Sequence, residues 1–359
     1  MSTALRGGVF TAPDDDLGDL RALVGDIGAR SFDARIGHRS LPDAFDRDAW
    51  CNLEESGLTR LDSTAESGGG PTEVALILRC LARHAVTVPL AETDLLGCWL
   101  AAQAGLAVPE SGPVTLALGE ASPAGGRLTA TLTAVPYAGV ADAVVLAVRD
   151  GELLRVAVAD PAELSIQPGH NGGGEPRDSV TVDRAVADFT DVEGRTVELI
   201  RRGAWARCMQ AVGALDAAVE FSVAHTRERE QFGRPLSAFQ SVQHTLATMA
   251  GEVERARAAA ELAVAAATEH GFASPQADYA VTVAKVTLGQ VVPRVATSAH
   301  QLHGAIGATI EHRLWLATMR ARSWMDEFGD TAHYACRLGR MALSAADPWD
   351  VIVGQPMLA

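Results

Sequence analysis

Positive charge is scarce in this chain. Its 30 Lys and Arg are outnumbered by 45 Asp and Glu, a formal net charge of −15 over 359 residues. A nucleic-acid groove needs a basic face, so that class of partner is excluded. An anionic small molecule is not, because local arginines or a helix N-terminus can hold phosphate inside an acidic protein. Long apolar runs are missing too. No stretch approaches the roughly 18 consecutive apolar residues of a membrane span. The N-terminus, Met1-Ser2-Thr3-Ala4-Leu5-Arg6-Gly7 leading into Asp14-Asp15-Asp16, lacks an apolar segment of signal-peptide length. The expectation is a cytoplasmic chain with no membrane partner. Cysteines are few and odd in number: Cys51, Cys80, Cys98, Cys208 and Cys336. They are scattered, with no CxxC or Cys/His ligand spacing, which argues against a metal site and a disulfide framework and leaves buried thiols.

What is present is a globular composition, 48% hydrophobic and 21% charged, far from the disordered range. Leu17, Leu20, Leu23 and Val24, then Val74, Leu76, Ile77 and Leu81, repeat at helical spacing. Ser67-Gly68-Gly69-Gly70-Pro71 between them is a loop, with Pro71-Thr72-Glu73 suited to a first helical turn. The period changes near Pro113. Val114, Leu116 and Leu118 alternate, as do Leu128, Ala130, Leu132 and Ala134 with Thr between them; Val144 to Val148 is an apolar run followed by a hairpin signal at Asp150-Gly151. Val180, Val182 and Val186 continue the β character. The helical period then returns in three stripes: Met209, Val212, Leu215, Val219, Val223; Phe239, Val242, Leu246, Met249, Val253; and Val283, Val286, Val292, Val295. The expected fold class is α+β: an N-terminal helical domain over 1–112, a middle small antiparallel β domain over 113–190, and a C-terminal four-helix bundle over 191–359.

Two stretches carry chemistry. The first is Arg227-Glu228-Arg229-Glu230-Gln231-Phe232-Gly233-Arg234-Pro235-Leu236-Ser237-Ala238-Phe239-Gln240. A long helix is expected to end at Gly233 as its C-cap, with Pro235 just beyond and a new helix opening near Ser237. A planar guanidinium, amides and an aromatic gathered at one interhelical turn can hold a pyrophosphate bidentately through Arg229 while the amides meet a ribose or base. The same residues also read as a solvated helix end with an apolar Phe232 plug. The second stretch is Ala299-His300-Gln301-Leu302-His303-Gly304-Ala305-Ile306-Gly307. His244, His300 and His303 read as satisfied polar residues at helix positions.

The first stretch resembles the Arg-x-x-Phe-Gly-x-x-Leu/Ile-x-x-x-Gln segment of acyl-CoA dehydrogenases, and the second resembles that family's Gln-Leu-His-Gly-Gly-x-Gly, with Ala305 in place of the second glycine. The resemblance is strong over residues 195–345 and architectural before them. It implies FAD as cofactor, an acyl-CoA dehydrogenase-like fold, and Arg229, Gln231, Phe232, Gln240, Gln301, Gly304 and Ala305 as cofactor-binding residues that clamp the adenosine end of a flavin in a neighbouring subunit.

Dehydrogenation also needs a carboxylate within reach of the proton alpha to the thioester. In the family that glutamate follows an aromatic in an aromatic-Glu-Gly-Thr turn. Here the counterpart is Glu327-Phe328-Gly329-Asp330, with aromatic and acid exchanged, so Glu327 is one residue early, about 100° away on a helix. It is the one weak catalytic candidate. The family's other base slot falls near Gly203, within Arg201-Arg202-Gly203-Ala204, where no carboxylate stands. The flavin-facing Thr-Glu-Pro-x-x-Gly-Ser-Asp stretch survives only as a faint echo in Gly119-Glu120-Ala121-Ser122-Pro123-Ala124-Gly125-Gly126.

The resemblance therefore implies a base-lacking subunit that pairs with a catalytic paralogue in an α2β2 heterotetramer, as in actinobacterial enzymes that act on steroid side chains. An acyl-CoA would be the substrate and an electron-transfer flavoprotein the acceptor. Two other readings stand beside it: a self-sufficient homotetramer with Glu327, Asp326 or Asp330 as a displaced base, and a non-enzymatic scaffold descendant.

Overall fold

The computed structural model describes residues 17–35, 41–64, 68–151 and 153–352. The N-terminal heptad, Asp14-Asp15-Asp16 and Ser67 lie outside the described residues. In chain order the helices are α1 (Gly18–Arg35), α2 (Arg47–Glu55), α3 (Pro71–Arg83), α4 (Trp99–Gln103), α5 (Thr196–Glu228), α6 (Gln240–His270), α7 (Pro275–His303), α8 (Arg313–Asp326), α9 (Thr331–Ser344) and α10 (Pro348–Ile352). The strands are β1 (Val114–Glu120), β2 (Arg127–Pro136), β3 (Ala143–Asp150), β4 (Leu153–Ala159), β5 (Ser165–Gln167), β6 (Arg177–Ala185), β7 (Thr190–Glu193), β8 (Glu230–Gln231) and β9 (Arg234–Pro235). These elements form two compact units, one from residues 1–37, 71–85 and 207–359, the other from residues 38–70 and 86–206.

The unit that holds the β segment has two sheets, ordered β1-β3-β4-β7 and β2-β6-β5. Alternation along β2 aims Leu128 and Leu132 inward while Thr129, Thr131 and Thr133 face water. The alternation breaks after Thr133. Ala134 has φ 56°, the β2–β6 register slips between Leu132 and Val135, and the bulge turns Val135 rather than Ala134 into the core. The inner faces of both sheets meet in one core that includes Leu128, Leu132, Val144, Leu146, Val148, Val180 and Val182. The antiparallel expectation holds for every pair of these two sheets except β1–β3, which is parallel with Val114 opposite Ala143. The physical reason is that β2 leaves for the second sheet, so β3 reaches β1 by a crossover instead of a hairpin. Asp150-Gly151 does make the expected hairpin, joining β3 to β4 with Gly151 at φ 65°.

Helices α5, α6 and α7 are each about 30 residues long; α5 from Arg207 onward shares the helical unit with α6, α7 and the shorter α8 and α9. Met209, Val212, Leu215 and Val219 of the first stripe are buried, as are Met249 and Val253 of the second and Val292 and Val295 of the third. The segment Ala204–Leu215 is buried on all sides except at Gln210, which is why its stripe is embedded in a nearly continuous apolar run.

Candidate functional site

The Arg229 stretch folds differently from its sequence expectation. The long helix α5 stops at Glu228 instead of reaching Gly233, and β8 and β9 then form a two-residue hairpin with Phe232-Gly233 at its tip. Phe232 has φ 53° and Gly233 φ 76°. Positive φ at both central residues gives the turn the right-handed twist that a tight hairpin requires, and this local demand ended the helix early. A short 3-10 turn over Leu236–Ala238 leads into α6 at Gln240. The hairpin is closed at its base by the Leu236 N–H donating to the Arg229 carbonyl at 2.8 Å.

Holding a phenylalanine in the left-handed region is strained, yet Phe232 is 92% exposed. Arg229, Gln231, Gln240, Gln301, Gly304 and Ala305 are exposed as well. No ion pair or side-chain hydrogen bond holds Arg229, Gln231, Gln240 or Gln301 among the described residues. Behind them the corner is rigid: Arg234 stacks on Phe239 at 4.1 Å, and Phe232 meets the same ring edge-on at 6.2 Å.

The second stretch caps α7. Gly304 has φ 67° and ψ −150°, a region open essentially to glycine alone, and a Cβ there would meet open space. Backbone at the end of α7 is thus bare to an approaching ligand. Just before the first stretch, the His225 ring of α5 stacks on the His303 ring of the second, with centroids 4.4 Å apart. An unengaged guanidinium, three free amides and a bare glycine turn have the chemistry of a pyrophosphate and adenosine clamp. The residues present fit the adenosine end of FAD.

The polar side chains at the end of β1 are engaged within their own unit. At the end of β1, Glu120 is ion-paired with Arg149, and the Ser122 hydroxyl donates to Asp150 at 2.9 Å. Asp150 is in turn bound by Arg155 at 2.6 Å, a pairing that holds its carboxyl below the usual carboxylate range. These side chains are engaged with one another.

Glu327 is likewise committed. It ends α8, and its carboxylate accepts from Arg207 Nε at 2.6 Å. Arg207 is almost fully buried and also donates to Gln210 at 2.7 Å, while its guanidinium lies 5.6 Å from the Phe328 ring centre. Lys285, inside α7 and fully buried, donates to the Met325 and Glu327 carbonyls at 2.9 Å each. That caps the last carbonyls of α8 with a cation, as a helix C-terminus favours. Burial pushes the Lys285 amine below the usual lysine range and the neighbouring Cys208 thiol up to about 12. Asp330 is spent as the N-cap of α9, accepting from the His333 N–H at 2.7 Å. The Gly203 slot is buried with no carboxylate of its own, and the adjacent Arg202 is bound to Asp62 at 2.6 Å and to Glu198 at 3.2 Å.

Arg207, Lys285, His225 and His312 were not reached by sequence reasoning. The first two carried a signal, since a lone cation inside an apolar run (Ala204-Trp205-Ala206-Arg207-Cys208-Met209 and Val283-Ala284-Lys285-Val286) must find a partner if it is buried. The histidines carried none, because their contact is between distant elements.

A family model described as "Acyl-CoA dehydrogenase, C-terminal domain" matches residues 195–331. The chain is similar to "Acyl-CoA dehydrogenase FadE27" of Mycobacterium tuberculosis, 26% identical over 333 residues and covering 84% of this chain and 89% of the relative. Among solved structures it is similar to the ChsE4-ChsE5 complex from Mycobacterium tuberculosis, with TM-score 0.76 at 21% identity over 93% of this chain and 99% of the matched chain. It is also similar to the Tcur3481-Tcur3483 steroid ACAD, with TM-score 0.77 at 24% identity over 91% and 98%. At these identities the two structures speak for the fold.

Proposed function

We propose that the chain is a member of the acyl-CoA dehydrogenase family, whose cofactor is FAD, and within it the base-lacking subunit of a two-component dehydrogenase, closing the adenosine end of a flavin site in a catalytic paralogue. The observation that carries the reading is an asymmetry: the clamp residues stand exposed and unengaged, while Glu327 is locked to Arg207. Bound FAD would supply the hydride acceptor for α,β-dehydrogenation of an acyl-CoA thioester. This chain's share is to bind and orient. Arg229 offers two parallel N–H donors to the pyrophosphate, Gln231, Gln240 and Gln301 offer amides, Phe232 offers an apolar face, and Gly304 with Ala305 lets backbone approach.

A base must present free lone pairs to the substrate proton at about 3 Å. A carboxylate with one oxygen held at 2.6 Å by a buried guanidinium is tied down on that side, which disfavours Glu327 as a displaced base. The pairing of two different chains in the ChsE4-ChsE5 and Tcur3481-Tcur3483 relatives supports a heteromeric assembly, and the second, a steroid ACAD, favours a bulky acyl group. An electron-transfer flavoprotein as acceptor is part of the same proposal.

The test is co-expression with a paralogous acyl-CoA dehydrogenase-like chain. The complex is expected to be yellow and to oxidise an acyl-CoA, and the chain purified by itself to be colourless and inert. A chain that is yellow and active alone ends the proposal in favour of a homotetramer, and a complex without flavin ends it in favour of a scaffold. Within the complex, Arg229→Ala and Gln301→Ala should each lower flavin content, with a combined effect that departs from additivity because they share a ligand.

A further inference from the structure

Three imidazoles from three helices meet beside the clamp. The His303 ring lies nearly parallel to the His225 ring, with centroids 4.4 Å apart and planes 20° apart, and it meets His312 edge-on at 5.2 Å and 73°. His225 sits one turn before Arg229 in α5, His303 is the last residue of α7, and His312 is the N-cap of α8. Backbone sets two of the tautomers. His303 Nδ1 lies 2.8 Å from the Ala299 carbonyl and so carries a proton, whereas His312 Nδ1 accepts the Leu314 N–H at 3.1 Å and so is bare. The turn after Gly304 folds onto the same ring, since a Cβ on Gly307 would lie 2.7 Å from the His303 Cβ.

We propose that the uncharged His225–His303 stack is the positioning element of the clamp, holding the end of α5 with Arg229 against the end of α7 with Gln301 and Gly304, and that protonation of the stack opens it. The inference rests on the clamp reading above. The mechanical link is direct, because the Arg229 N–H donates to the His225 carbonyl at 2.9 Å, so a displaced His225 carries Arg229 with it. Two imidazolium rings at that spacing would repel in a partly desolvated setting.

The surroundings offset that charge only in part, through Glu228 beside His225. Arg229 and Glu228 face His225 from α5, His300 faces His303 and His312 from α7, and Arg313 faces His312 from α8 while paired with Asp33 of α1 at 3.3 Å. Arg322 of α8 faces His300, whose Nε2 is 2.8 Å from the Thr318 hydroxyl. Burial is the leading cause that keeps His225, His303 and His312 all below the usual imidazole range, His303 at about 4. At neutral pH the stack is therefore uncharged and the clamp closed.

Two measurements test this. In the flavin-loaded complex, His303→Ala should weaken FAD retention at neutral pH by about three- to tenfold, the size of one aromatic contact, and His303→Phe should restore most of it while flattening its loss in acid. FAD retention unchanged in His303→Ala, with Arg229→Ala still shedding flavin, overturns the stack and leaves the clamp reading standing. If Arg229→Ala also keeps its flavin, the clamp reading fails and the stack proposal falls with it. The second measurement uses the full chain without flavin, following imidazole ring protons by NMR against pH. His225→Phe removes a like charge and should raise the His303 midpoint from about 4; an unmoved midpoint means that the rings do not stack in solution, and overturns the proposal.

Discussion

Arg207 and Glu327 face each other at 2.6 Å, with side-chain exposures of 1% and 22%. A guanidinium that deep needs its counter-charge, and removing one partner of such a pair is more costly than the pair is stabilising. Glu327→Gln keeps an oxygen acceptor but strands the charge, so it should lower stability by about 1–3 kcal/mol while changing turnover of the paired enzyme by less than about threefold, as expected of a group outside the chemistry. Loss of turnover by several orders of magnitude would instead make Glu327 the base.

Protonation adds a second prediction at the same scale. His303 is held at about 4 in the folded chain against an ordinary 6.5. The unfolded chain therefore binds more protons between those values, and this contribution to stability, complete above 6.5, is lost as pH falls towards 4. Asp94 runs the other way. Burial raises it from 3.8 to about 6, despite hydrogen bonds from the Asp62 and Ser63 N–H groups, so its contribution is complete below 3.8 and lost as pH rises through 6. The net slope mixes opposite signs, so the effect should be read as a difference: the melting temperature of His303→Phe should fall less steeply than that of the parent chain between pH 6.5 and 4.

At the scale of elements, the end of α8 and the β8–β9 hairpin make contrasting cases. Lys285 satisfies two carbonyls of a buried helix end, and Lys285→Met would leave both without that donor, for a loss of about 2–4 kcal/mol measurable by denaturant unfolding. The hairpin is the reverse, a place where the chain tolerates strain with one edge-on contact to Phe239 in return. Phe232→Gly removes a left-handed side chain that is 92% exposed. It should leave the isolated chain as stable as before or more stable by up to about 1 kcal/mol, yet lower flavin retention in the complex. If both quantities are unchanged, Phe232 takes no part in the interface. The sequence contained the turn chemistry of Phe232-Gly233-Arg234-Pro235, but the same letters suit a helix C-cap followed by proline. What separated the two was the pairing of Glu230 with Pro235 and Gln231 with Arg234, a local choice between hairpin and helix cap that no single residue announces.

For the whole molecule, the expectation is an enzyme divided between two chains, and flavin per assembled complex is its measure. None of the helices among the described residues is long and apolar enough to cross a membrane. The order of helical, β and helical segments and the hairpin at Asp150-Gly151 were legible in the sequence by itself, and the spacing of Arg229, Gln301 and Gly304 there is what the proposed clamp rests on. Helical period, strand alternation and motif spacing are local properties, written in residues a few positions apart. Only the tertiary structure decided the rest: the parallel β1–β3 pair, the two units assembled from separated stretches, the Arg207–Glu327 pair and the meeting of His225 with His303. Each depends on residues far apart in the chain, brought together because burying their neighbours' apolar surface outweighs the entropy of ordering them. Motif spacing outlined the proposed clamp, whereas the commitment of Glu327 to Arg207 came only with folding.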